Sequence, residues 1–275
     1  MQGTEAALDW VFEPSVVIGL AALAGGYLAA VGPARRLIAG SVPVSAGRQA
    51  TYLAGVAALA IALCSPLDSL SDDHLFSIHM IQHLILTMMG PPLMLLGLPD
   101  WLVRFAVRGR APRVALRLLT RPLVALVLYN VVFDIWHVPD LYDLALETNA
   151  IHIFEHLTFI GAAFLLWWPI CGPDLADLPK PSYPLRMLYL FANSLLGFAL
   201  GAYITLQNDI IYPFYGEAVR LWGLSALDDQ RLGGLIMWVG MSTFYLVVIA
   251  VLFIAWASAE GHEAYGDSAQ DRARQ

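Results

Sequence analysis

Between residues 75 and 97 the chain reads Leu75-Phe76-Ser77-Ile78-His79-Met80-Ile81-Gln82-His83-Leu84-Ile85-Leu86-Thr87-Met88-Met89-Gly90-Pro91-Pro92-Leu93-Met94-Leu95-Leu96-Gly97, with no Asp, Glu, Lys or Arg. As a helix rising ~1.5 Å per residue, such a run crosses the ~30 Å hydrocarbon core of a bilayer. It also places His79 and His83 four residues apart, on one helix face. A membrane span that carries two imidazoles on one side sets both the fold class and the functional question.

Outward from this run, apolar stretches of spanning length occur at 14–31, 49–64, 121–138, 151–171, 183–206 and 232–258. With 75–97 they predict an all-α, polytopic integral membrane protein built as a seven-transmembrane-helix bundle. The composition agrees: 59% of the 275 residues are hydrophobic and 13% charged, about half the charged fraction of a soluble domain. The formal charge of −7 and the scattered arginines exclude a basic nucleic-acid surface. The connections at 104–121 and 207–231 are too short for a further domain, so residues 1–258 read as one transmembrane domain and 259–275 as a polar cytoplasmic tail, expected to be disordered.

Lys and Arg set the orientation. Arg35, Arg36 and Arg48 lie between the first two stretches, and Arg104, Arg108, Arg110, Arg113, Arg117 and Arg121 between the third and fourth. By the positive-inside rule these connections are cytoplasmic, with the N-terminus outside and the C-terminus inside. The second of them reads as an amphipathic basic helix lying on anionic lipid. The acidic, lysine-free start (Glu5, Asp9, Glu13) lacks the basic region of a cleavable signal, so 14–31 is kept as a span. Trp10, Trp136, Trp222 and Trp256 are expected at the interfaces, and Gly197 and Gly201 form a small-residue face for close helix packing.

This orientation brings six of the seven histidines to the outer half: His74, His79, His83, His137, His152 and His156, with His262 alone in the tail. His152 and His156 repeat the four-residue spacing of His79 and His83. Uncharged imidazole is the commonest metal ligand, and an unpaired ring in hydrocarbon is costly. Two such pairs plus His137 at one depth point to metal binding rather than to hydrogen-bonded interhelical contacts. His79, His83, His137, His152 and His156 are therefore the candidate ligands, with His74 in the outer loop as an auxiliary one. Asp134 and Glu155, adjoining His137 and the second pair, are expected to orient rings or receive displaced protons. Met80, Met237 and Met241 are auxiliary candidates whose thioethers favour copper(I). Cys64 and Cys171, expected at opposite membrane faces, form no disulfide framework, and Cys64 reads as a small buried residue.

Other chemistries use the same residues. His152-Ile153-Phe154-Glu155-His156 has the H-x-x-E-H form of an inverted zinc peptidase, and one histidine from each pair would serve a b-type haem in an electron carrier. A permease would need a polar path through the inner half, where Asn193 and Thr87 read as isolated.

Five blocks carry a resemblance: Ser65-Pro66-Leu67-Asp68; Phe76 to His83 with Pro91-Pro92-Leu93 and Leu95-Leu96-Gly97; Trp136-His137-Val138-Pro139 with Leu141-Tyr142-Asp143 and Ala145-Leu146; His152 to His156; and Asp229-Gln230 with Gly233 to Trp238. In this order the chain resembles the seven-helix CtaG family of cytochrome c oxidase assembly factors over nearly its whole length. The resemblance implies a non-catalytic factor of the bacterial inner membrane that serves copper-dependent maturation of haem-copper oxidases. It implies oxidase subunits or a periplasmic copper chaperone as partner and leaves a homo-oligomer open. Copper, with zinc or haem b as alternatives, is the expected cofactor.

Overall fold

The computed structural model describes residues 9–273 apart from 177 and 179, with side chains described as far as residue 260. In chain order the helices are α1 (Pro14–Val31), α2 (Ala46–Cys64), α3 (Pro66–Asp73), α4 (Phe76–Gly97), α5 (Asp100–Ala106), α6 (Arg110–Leu119), α7 (Pro122–Trp136), α8 (Pro139–Glu147), α9 (Asn149–Cys171), α10 (Tyr183–Thr205), α11 (Pro213–Glu217) and α12 (Ala226–Glu260). Among the described residues there is no strand, only an isolated bridge between Leu175 and Leu178. The all-helical expectation holds.

Six of these helices (α1, α2, α4, α9, α10 and α12) are long and apolar enough to cross a membrane. The expected fourth span is shorter than its apolar run. Arg121 adopts extended backbone before Pro122, and the helix ends at Trp136, which leaves 15 residues or about 22 Å. It joins α6 at a bend of 77°, and only as part of that broken pair does α7 count as a seventh span. The last span begins earlier than expected, at Ala226, so Asp228, Asp229 and Gln230 are helical. Its helix runs on to Ala273. The side chain of His262 lies outside the described residues, as do Arg274 and Gln275.

The bundle is organised around α4. Two thirds (67%) of its most apolar window is buried, against 11% for α1, because α2, α9 and α12 all pack on it. Close approach to α2 depends on small residues. A Cβ on Gly90 would lie 2.4 Å from Leu59, and one on Gly97 would lie 2.5 Å from the Tyr52 backbone. The expected Gly197/Gly201 face of α10 behaves likewise against α12, where Cβ atoms would meet the Met241 sulfur at 2.6 Å and the Trp238 nitrogen at 2.8 Å.

The expected interruption at Pro91 and Pro92 takes a definite form. A π-helical turn, Ile85–Met89, precedes Gly90 and the prolines, and the helix then continues. Proline has no N–H, so Pro91 frees the Thr87 carbonyl four residues back. The Trp167 indole of α9 donates to that carbonyl at 2.9 Å. A second π turn, Ile236–Gly240, lies in α12.

Two details of the sequence reading change. Trp136 is buried, with its indole N–H on Thr158, and so is no part of an interfacial belt, whereas Trp10 and Trp222 are exposed. Asn193 is not isolated: its amide oxygen accepts from Asn130 at 2.6 Å and its amide donates to the Tyr245 hydroxyl at 2.5 Å. The Thr87 hydroxyl likewise donates to the His83 carbonyl. These are neutral interhelical and intrahelical bonds, and they tie α7, α10 and α12 together.

Candidate metal centre

The start of α4 is fixed from α12. Helix N-termini leave backbone N–H groups without partners, and those of Phe76 and Ser77 donate to the fully buried Asp229 carboxylate at 2.9 and 3.1 Å, joined by the Ser77 hydroxyl at 2.5 Å. Gln82 ties the same helix to α2 and α3, its amide donating to the Ala62 carbonyl and to Asp68. α4 is therefore held in depth and rotation at both sides of His79.

His79 and His83 are buried and point into one pocket, with Nε2 atoms 2.7 Å apart. The hydrogen-bond chain assigns their tautomers. The Tyr215 hydroxyl donates its only proton to the Ser71 carbonyl at 2.6 Å, so His79 Nδ1, 2.7 Å from that oxygen, must be the donor. A neutral His79 then presents a bare Nε2 lone pair, and His83 Nε2–H donates to it. His83 Nδ1 is buried without a hydrogen-bond partner.

From α9, His156 brings its ring centroid within 5.6 Å of His83 and 6.2 Å of His79, and its buried Nε2 has no hydrogen-bond partner. Ligand atoms of His79, His83 and His156 all lie within 4.8 Å of one another. His137 stands at the edge of this group, 5.8 Å from His83 between ring centroids. Its Nδ1–H donates to the Phe133 carbonyl at 2.7 Å, which leaves Nε2 as a buried lone pair with no partner. Such a bond fixes ring and tautomer in the way ligating histidines require. The buried Glu155 carboxyl reaches 3.9 Å from His83 Nε2, and the same oxygen makes no hydrogen bond.

His152, one turn before His156, faces a second group. Its Nδ1 lies 3.4 Å from the Asp72 carboxylate on α3, and ligand atoms of Asp72, His79 and His152 also fall within 4.8 Å of one another. The H-x-x-E-H pair is thus divided between two sets. Burial and mutual repulsion raise the carboxyl pKa values of Asp68, to about 8, and of its coupled neighbour Asp72.

The remaining sequence candidates stand apart. Asp134 is exposed, whereas His137 three residues on is buried. His74 caps the end of α3, and its carbonyl accepts from Arg220. Met80, Met237 and Met241 are buried in the apolar core, Met80 against Gly233 and Met241 against Gly197. Cys64 is buried in the separate apolar cluster formed by α1, α2 and α4.

Sequence reading missed Asp72, Tyr215 and Gln82. Gln82 was within reach, since it lies one residue from a ligand candidate in an otherwise apolar span. Asp72 and Tyr215 sit on short helices that have no periodic signal of their own.

A helical membrane bundle with a buried imidazole cluster at one end defines the class. The family described as cytochrome c oxidase caa3 assembly factor (Caa3_CtaG) matches residues 25–259, and the chain belongs to that family. It is a multi-pass membrane protein of a bacterial family. Uncharacterized proteins of Mycobacterium bovis and Mycobacterium tuberculosis are each 30% identical over 95% of this chain and 42% of their own length. One from Mycobacterium leprae is 29% identical over 90% of this chain and 39% of its own. The chain spans about two fifths of the length of these relatives. No solved structure matches it.

Proposed function

We propose that this assembly factor binds copper at the histidine pocket, on the extracytoplasmic side of the inner membrane, and passes it to an oxidase subunit or a periplasmic copper chaperone. The observation that carries the reading is the set of buried imidazole nitrogens left without hydrogen bonds. His156 and His137 each present an Nε2 with no partner, and His79 presents a lone pair to His83, all at one level of the bundle. Buried polar groups are normally satisfied, so unpartnered nitrogens on His83, His137 and His156 in and beside the close His79, His83 and His156 group favour a cation as the missing partner.

Donor chemistry narrows the metal. Imidazole suits copper, zinc, iron and nickel, and copper(II) heads the affinity series of divalent ions for nitrogen sites. Cytochrome c oxidase assembly, the role of the family, selects copper among these. The methionines do not argue for valence, since they lie in packing positions.

Binding relocates one proton. In the metal-free protein His83 Nε2–H donates to His79 Nε2, and for both Nε2 atoms to hold the ion the His83 proton would move to its unpartnered Nδ1. Three imidazoles with His137 or Glu155 as a fourth donor give a site that holds copper and still yields it by exchanging one ligand at a time.

Elemental analysis and optical spectra of purified protein, wild type beside His83→Ala and His156→Ala, test the reading. One equivalent of tightly held copper in wild type and its loss from both variants is the expected result. Full retention of copper by both variants, zinc alone, or a Soret band would each overturn it.

A further inference from the structure

The second set of donors, Asp72, His79 and His152, has no role in holding an ion at the inner set, yet it shares His79 with it. It differs in three physical respects. It includes a carboxylate, its Asp72 side chain is 27% exposed where the inner histidines are buried, and it is supplied partly by α3, a short helix outside the spans. His152 is 8% exposed and its Nε2, like those of His137 and His156, is buried without a hydrogen-bond partner. The Asp72 carboxyl at 3.4 Å from Nδ1 accounts for only one of its two nitrogens.

The surroundings favour a cation. Asp73, next in the chain, lines a surface cavity with Asp143, Glu147 and Glu217, and a cleft lined by carboxylates concentrates cations by its field. Beyond Asp72 the carboxylates give way to buried imidazole. The donors thus grade from exposed oxygen, through one carboxylate with two imidazoles, to imidazole alone.

We propose that Asp72, His152 and His79 form an outer metal-loading station, through which a copper ion passes from the acidic cavity to His83 and His156. His79 belongs to both sets, so the ion moves inward by exchanging Asp72 and His152 for His83 and His156 around one retained ring. Besides the metal–ligand bonds only the His83 tautomer changes, its proton moving from Nε2 to the unpartnered Nδ1 so that Nε2 is free for the ion. Tyr215 holds the pivot, since its hydroxyl fixes the His79 ring and is itself fixed by the backbone of α3.

This proposal rests on the inner set being a copper site, and two measurements separate their fates. In the first, copper(I) is delivered anaerobically from a chromophoric chelator to the purified full chain, and loading is followed by stopped flow. Asp72→Asn, nearly isosteric, is expected to load on the order of tenfold more slowly than wild type, the scale on which partners of a metal site act. Loading at the wild-type rate overturns the station. In the second, His83→Ala/His156→Ala is titrated with copper(I). One weakly held ion is expected to remain and to disappear when Asp72→Asn is added. No copper in the double variant, or copper that persists in the triple variant, overturns the station while leaving the inner site standing. If wild type binds no copper, both readings fall together.

Discussion

Two levels of the same bundle core treat buried polar groups in opposite ways. Around Asn193 each amide finds a partner: Asn130 donates to it and to the Leu126 carbonyl, and Asn193 donates to Tyr245. Around His83, nitrogens of His83, His137, His152 and His156 and an oxygen of Glu155 are buried with no hydrogen bond. The first arrangement pairs its amides and holds helices together. The second is open, and a fold tolerates an open set of donors where a ligand completes it.

The sharpest contrast is expected in metal retention. His83→Ala and His156→Ala should each weaken copper binding at least ~10-fold, whereas Asn193→Leu should leave the copper stoichiometry at the wild-type value, all read by chelator competition. Equal losses in all three would dissolve the distinction between the two levels.

Stability should run the other way. The Asp229 carboxylate serves both levels by capping α4 against α12, so Asp229→Asn, which puts an amide donor toward backbone N–H groups, should cost about 1–2 kcal/mol. Thermal unfolding in detergent reads this. Asn193→Leu strands its two partners and should cost about 1 kcal/mol, the scale of interhelical bonds in membranes. His156→Leu removes an unpartnered nitrogen at similar volume, so the metal-free variant should be no less stable than wild type. A larger loss for His156→Leu than for Asn193→Leu would show that the pocket histidines are structural.

How far the sequence carried this picture follows from the kind of signal each residue gives. The spans were legible because hydropathy is local, and the pairing of His79 with His83 because an i,i+4 spacing survives any packing. Asp134 lies three residues before His137, yet it is exposed while His137 is buried, because spacing along a helix does not say which flank of the shared face meets the bundle. Met80 is adjacent to His79 and for that reason turns about 100° away from it, into Gly233. Asp72 and Tyr215 reach the pocket through tertiary structure alone, Tyr215 being 136 positions from His79. The terminal direction of the bundle came from arginine asymmetry, which helix packing leaves untouched.

The smallest expected effect lies at the rim. Burial raises the Asp68 carboxyl to about 8 in the folded protein, above its unfolded value, and Asp72 shifts in the same direction. The folded chain thus binds more protons than the unfolded one. Its contribution to stability is complete below about pH 4 and is lost as pH rises through the folded value. Metal-free protein should therefore melt at a lower temperature at pH 8 than at pH 6, and Asp68→Asn should flatten that slope. A slope of opposite sign would mean that these carboxylates are ionised and partnered.

X-ray absorption spectroscopy of the copper-loaded protein tests the central claim most directly. The account predicts a shell of nitrogen scatterers near about 2 Å, with imidazole outer-shell features that weaken in His83→Ala/His156→Ala, where only the weakly held outer ion remains. A sulfur shell, or an unchanged imidazole signal in that variant, would contradict it.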